Sequence, residues 1–134
     1  MKAIAEAIRT KLQSSSDLTD LLSDGAAGVY MDPAPPSAQR PYVIYMKSSG
    51  NKDWQFGDGF MQWDKWTVKG VGTQSQAMAI DAACQAVLTK ADLGIPGQPT
   101  AMLQPFTDVA YPEVKDGEQI RHVGAVYTIV VEKG

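Results

Sequence analysis

Apolar residues at Ile4, Ile8 and Leu12 recur at every fourth position. That spacing puts them on one stripe of a helix, and Ala3, Ala5 and Ala7 around them favour the same conformation. Serines at 14–16 interrupt the pattern. Leu18, Leu21 and Leu22 then resume helical spacing behind Ser16 or Asp17, either of which can cap a new N-terminus, and Gly25 stops this short piece. Two helical pieces meeting at a bend are predicted. The segment 32–41, "DPAPPSAQRP", holds four prolines, which exclude a helix and predict an extended surface connection.

"YVIYMK", Tyr42 to Lys47, is near-continuously apolar and rich in β-branched and aromatic residues. It predicts a strand covered on both faces. The polar, glycine-bearing stretch that follows reads as a flexible loop running to about Phe60. "FMQWDKWTVKGV" then predicts a strand paired to the first, with Trp66 and Val68 on one face and Lys65, Thr67 and Lys69 on the other. Met61 and Trp63 share the face of those lysines, and a bulge or a second contact surface near residues 62–64 accounts for the imperfect alternation. Thr73 and Gln76 have the spacing of a capping box. They open a helix of about 17 residues with Ala77, Ile80, Cys84, Val87, Leu88 and Ala91 on one stripe, closed by Gly94 and Pro96. "TAMLQPFTDVAY" predicts a strand broken or held at an edge by Pro105. Asp116-Gly117 is a hairpin signal, and Val123, Ala125, Tyr127, Ile129 and Val131 alternate on one face of the last strand. This order of elements predicts one α+β domain over residues 1–134, a mainly antiparallel four- to five-stranded sheet with helices packed on one face.

Composition changes this picture little. A chain of 134 residues, 44% apolar and 20% charged, can remove roughly two-thirds of its unfolded surface from water. No apolar run approaches the roughly 20 residues of a membrane span, and the N-terminus lacks the apolar block of a secretion signal; no membrane partner is expected, and the protein is expected in the cytosol of the cell that makes it. The net charge of −3 has the wrong sign for a protein that grips phosphate backbones over its whole surface. Lys47, Lys52, Lys65 and Lys69 lie among Asp53, Asp58 and Asp64 and read as a solvated face.

Candidate chemistry is sparse. His122 is the one histidine and Cys84 the one cysteine. The first sits mid-strand without a local motif, and the second lies on the apolar stripe of a helix, where a thiol fills a gap rather than attacks. One histidine and one cysteine cannot build an ordinary zinc site, and Asp53, Asp58 and Asp64 do not have calcium-loop spacing. "GDG" at 57–59 and "GVG" at 70–72 lack the rest of a phosphate-loop or dinucleotide fingerprint. No catalytic residue, metal site or cofactor is predicted. What remains is aromatic: Trp54, Phe56, Phe60 and Trp63 fall within ten residues. They either fold back over the sheet or are held out for a partner, since aromatic side chains are enriched at interfaces.

The features in order are a helix with the leucine-rich turn "DLTDLLS", then "GVYMDPAPPSAQRPYVIY", a variable stretch, "WDKWTVKGVGTQSQAMAIDAACQAVL" and the closing strand "RHVGAVYTIVVE". Together they resemble the tail-completion or tail-terminator family of long-tailed bacteriophages. The resemblance implies a non-catalytic virion subunit that forms a hexameric ring at the head-proximal end of the tail tube. Its implied partners are its own copies, the tail-tube protein and a head or neck connector, with DNA only passing through the ring. Alternatives are a neck or head-completion protein contacting the portal and, from a different class, a small-ligand-binding or enzymatic α+β domain. The residues expected at a subunit or tail-tube contact are Lys47, Lys52, Asp53, Trp54, Gln55, Phe56, Phe60 and Trp63, with the two lysines as rim charges.

Overall fold

The computed structural model describes the backbone of residues 2–56 and 59–133, and the side chains of residues 3–48 and 63–132. The N-terminal helix α1, Lys2–Gln13, buries Ile4, Ile8 and Leu12 almost completely. The serines break it, and α2, Ser16–Thr19, follows at once. Its cap is Ser15, one residue earlier than expected, whose Oγ accepts from the Leu18 N–H at 3.3 Å. From Ser15 the Leu18 N–H is the third of the helix, within the reach of an N-cap side chain. Leu21 and Leu22 fall in turns beyond α2. A 3₁₀ turn, Gly25–Gly28, then leads into the short strand β1, Val29–Met31.

The sheet is completed by β2 (Tyr42–Phe56), β3 (Gly59–Gly72), β4 (Thr100–Lys115) and β5 (Glu118–Lys133), in the order β1-β2-β3-β5-β4. β1 runs parallel to β2, and the other pairs are antiparallel. The fold is therefore α+β, with a mostly antiparallel sheet and its helices on one side. The proline-rich connection crosses the other side at one end. There Ala34 packs with Tyr42 and Met46 on Ile44, Val71 and Ile120, a small second core apart from the main one.

The expected loop after Lys47 is a correction. β2 continues to Phe56 and stays paired with β3 as far as Phe56↔Gly59, so the stretch is the far half of a long hairpin; Gly57 and Asp58 lie outside the described residues. Polarity here marks an outer strand, not a loop. β3 runs on through Phe60 with strand-favouring residues and supplies the backbone partners, which override weak local propensity. The bulges are on β2, between Lys47 and Ser49 and between Lys52 and Trp54, opposite the part of β3 where one was expected. Pro105 sits at a register shift in edge strand β4, and Asp116 and Gly117, both at positive φ, make the β4–β5 turn.

Helix α3, Gln74–Leu88, opens with the complete capping box of Thr73 and Gln76. It ends six residues before Gly94, because the next turn is captured by the sheet: the Lys90 N–H donates to the Leu103 carbonyl at 2.7 Å. Ala91 and Ile95 still pack on the core from the loop beyond. The helix presses closest to the sheet at Gly70 of β3, where a Cβ would stand 2.7 Å from Ile80 Cβ and 3.0 Å from the Ala77 carbonyl oxygen. We expect Gly70→Ala to push α3 off the sheet and lower stability by about 1–3 kcal/mol, measured by urea unfolding. An unchanged midpoint would show that the helix has slack at this contact.

Candidate functional site

Alternation sorts the strands into a covered and an open face. Val43, Tyr45, Trp66, Val68, Ala125, Tyr127 and Ile129 point under the helices and are buried. Asp64 shares that face and is only 2% exposed, so it does not belong to a solvated charge run. Trp66 Nε1 donates to its Oδ2 at 3.3 Å, and Lys47 Nζ lies 3.6 Å from its Oδ1. Lys47 thus sits half-buried on the helix side. Trp63 is 39% exposed on the opposite face. The side chains of Lys52, Asp53, Trp54, Gln55, Phe56 and Phe60 lie outside the described residues; their backbones stand on the two strands of the hairpin, with Trp54 opposite Met61 and Gln55 opposite Phe60. The hairpin therefore brings the predicted contact residues onto one arm, apart from Lys47 at its root.

The open face holds a network that the sequence analysis did not assemble. Lys69 is only 6% exposed. Its stem crosses β5 at Gly124, where a Cβ would stand 2.5 Å from Lys69 Cα and Cβ, and its ammonium donates to the Tyr111 hydroxyl on β4. The ammonium also lies 4.8 Å from the Tyr111 ring centroid. The Tyr111 ring stacks on His122 with centroids 4.5 Å apart and planes at 10°, and His122 Nε2 meets Glu113 Oε1 at 3.1 Å. Farther along, Lys65 Nζ sits 3.9 Å above the Phe106 ring, and Ser48 and Thr67 share a hydroxyl–hydroxyl bond of 2.5 Å. Stacking directs the imidazole nitrogens along the ring plane and away from the phenol, so the cluster is interlocked packing, not a proton relay. The antiparallel register places Tyr111 opposite His122, and counting back from the two-residue turn at Asp116-Gly117 would have found that pair.

A groove of about 470 Å³ lies between the proline-rich connection and the turn end of β4 and β5, lined by Ala34, Pro36, Gln39, Tyr42, Glu113 and Lys115. At its rim Arg40 pairs with Glu118 at 2.6 Å. Cys84 is fully buried, and burial, reinforced by Asp81, pushes its thiol far above the ordinary range. Burial also keeps the sulfur out of contact with solvent, unlike the partially exposed, electropositive setting of a reactive cysteine. Tyr127 is buried nearby, and its phenol is raised for the same reason. Among the described residues no group of three or more His, Cys, Asp or Glu side chains is placed to hold a metal ion, and no helix is long and apolar enough to cross a membrane.

No protein-family model matches the sequence, and no curated protein matches it. Solved structures with a matching fold include a chain from the virion of a native gene transfer agent particle. The two chains are 20% identical, the superposition covers 98% of this chain and 96% of that one, and the TM-score is 0.75. At that identity the likeness is one of fold.

The open-face network makes a prediction independent of any assembly. Tyr111→Phe keeps the stack on His122 and removes the acceptor of a largely buried ammonium, which should lower stability by about 1–2 kcal/mol. Lys69→Met removes the donor as well as the charge and should cost less, and adding Tyr111→Phe to it should cost almost nothing further. Equal losses from Tyr111→Phe in the two backgrounds, measured by denaturant unfolding, would mean that Lys69 and Tyr111 are not coupled.

Proposed function

We propose that this chain is a non-enzymatic structural subunit of a tailed, phage-like virion that closes the head-proximal end of the tail tube. The observation that carries the reading is the fold shared end to end with a chain of a gene transfer agent virion. The capping role within such a virion is added by the resemblance of the motif order to the tail-terminator family. In this reading several copies, six by the family pattern, form a ring that stands in for the next layer of the tube. Its lower surface is taken by the last tube subunits, and its upper surface differs enough to stop further growth and to receive the head connector.

Two features of the molecule suit that role. The β2–β3 hairpin is a long arm that carries Trp54, Phe56, Phe60 and Trp63 in sequence, large aromatic side chains of the kind enriched at interfaces. The net charge of −3 suits a ring through which DNA passes without being held, because strong binding to phosphates needs an excess of lysine and arginine.

Purified protein added to growing tail tubes should yield tubes of limited length with extra density at one end in electron micrographs. Tubes that overgrow unaffected, with no added density, would sink the reading, and density on the portal of filled heads alone would turn it into a neck-completion role. Replacing Trp54 and Phe56 together with alanine should abolish capping while shifting the melting temperature by less than about 4 °C. A much larger drop would place these rings in the subunit's own core.

A further inference from the structure

Both edges of the sheet end in unpaired strand. β1 covers β2 only from Val43 to Tyr45, so over residues 46–56 the outer edge of β2 has no neighbouring strand among the described residues. On the far side β4 pairs with β5 alone along its whole length. Such edges present rows of N–H and C=O groups that template pairing with another chain unless they are blunted.

On β4 the blunting is local. Pro105 and Pro112 lack an N–H, and a proline in an edge strand sits with its nitrogen turned outward. Successive residues of an antiparallel strand turn their backbones alternately to either side, so Asp108 and Ala110 face outward with Pro112. Residues 106–111 are left as an unbroken window, with Phe106 63% and Tyr111 41% exposed at its ends.

The strand directions identify the occupant. β2 and β5 run one way, and β3 and β4 the other. When a second copy is brought up in the same orientation, its β2 meets β4 antiparallel, the more favourable pairing. The two edges are different surfaces on opposite sides of one subunit, which is what head-to-tail assembly requires. We propose that copies of this chain join by pairing residues 46–56 of one with the window 106–111 of the next, so that the sheet continues from subunit to subunit. As the contact that closes a ring, this rests on the tail reading; as a contact between copies, it stands on the two edges alone.

Single cysteines test it, because Cys84 is fully buried and out of reach. Ala110→Cys, on the helix face opposite Val123, is mixed under mild oxidation with Gly50→Cys or Lys52→Cys, which stand on the same face opposite Asp64 and Gln62, both as free protein and in the presence of tail ends. At least one mixture should give a disulfide-linked dimer, no variant should do so alone, and the matching double variant should give a ladder of multimers. Ala110→Pro should leave the circular dichroism spectrum and melting temperature of the subunit unchanged and remove the ladder when built into that double variant at a neighbouring cysteine position, Asp108→Cys. Dimers from Ala110→Cys alone, a disulfide to another virion protein in place of a second copy, or no mixed product in any mixture would overturn the proposal. Mixed disulfides from a protein that leaves tubes uncapped would sink the tail reading and leave this contact standing; capping without them would do the reverse.

Discussion

Helix α3 can lie this close to the sheet because β3 offers no side chain at Gly70, and the rest of the molecule follows from that approach. Ile80 and Ala77 come down onto the bare backbone, which brings Cys84 and Leu88 into the same core as Trp66 and Tyr127. α1 fills the remaining space on that side with Ile4, Ile8 and Leu12. With the helices committed to one face, the other has no layer of its own. One end is closed by the proline-rich connection over Ile44, Val71 and Ile120. The middle is closed only by what its own strands can lay across it.

That constraint explains a lysine with 6% exposure on a face without helices. A lysine stem is four methylenes of apolar cover, and its ammonium remains favourable if it ends on a hydroxyl or an aromatic face. Lys69 does both with Tyr111, while Lys65 uses Phe106. Gly124 is the counterpart of Gly70 on this side: it leaves β5 flat so that the Lys69 stem can pass from β3 to β4. The charges are thus part of the packing. This is why an interleaved Lys/Asp sequence, read as a solvated face, yields instead a buried carboxylate under the helices and a nearly buried ammonium on the opposite side.

Wherever a residue's environment was set by its own element, the sequence was legible. The stripe of α1, the capping box of Thr73 and Gln76, the turn at Asp116-Gly117 and the alternation of Ala125, Tyr127 and Ile129 each follow from local periodicity or backbone chemistry. What was hidden depended on distant partners. α3 stops at Leu88 because β4 takes the Lys90 N–H, and nothing near residue 90 announces that. The far half of β2 carries few strand formers, and only β3, already a strand, makes it one. Trp54 to Trp63 fall on one hairpin, whereas Lys47 turns to Asp64 on the helix side, a pairing across two strands that adjacency in sequence does not announce.

The polarity that hid the outer half of β2 also makes it tolerable as an edge. A flat apolar strand of such length would pair with any exposed strand it met, whereas polar residues and bulges limit pairing to partners of matching twist and register. β2 has two register shifts within residues 47–54, and β4 has prolines at 105 and 112. Each edge is therefore protected against general association, and each retains one stretch of regular backbone. Blunting and specificity are the same device here. An edge interrupted at fixed points accepts a strand in few registers, which is the condition for subunits to repeat at one angle instead of spreading as an irregular sheet.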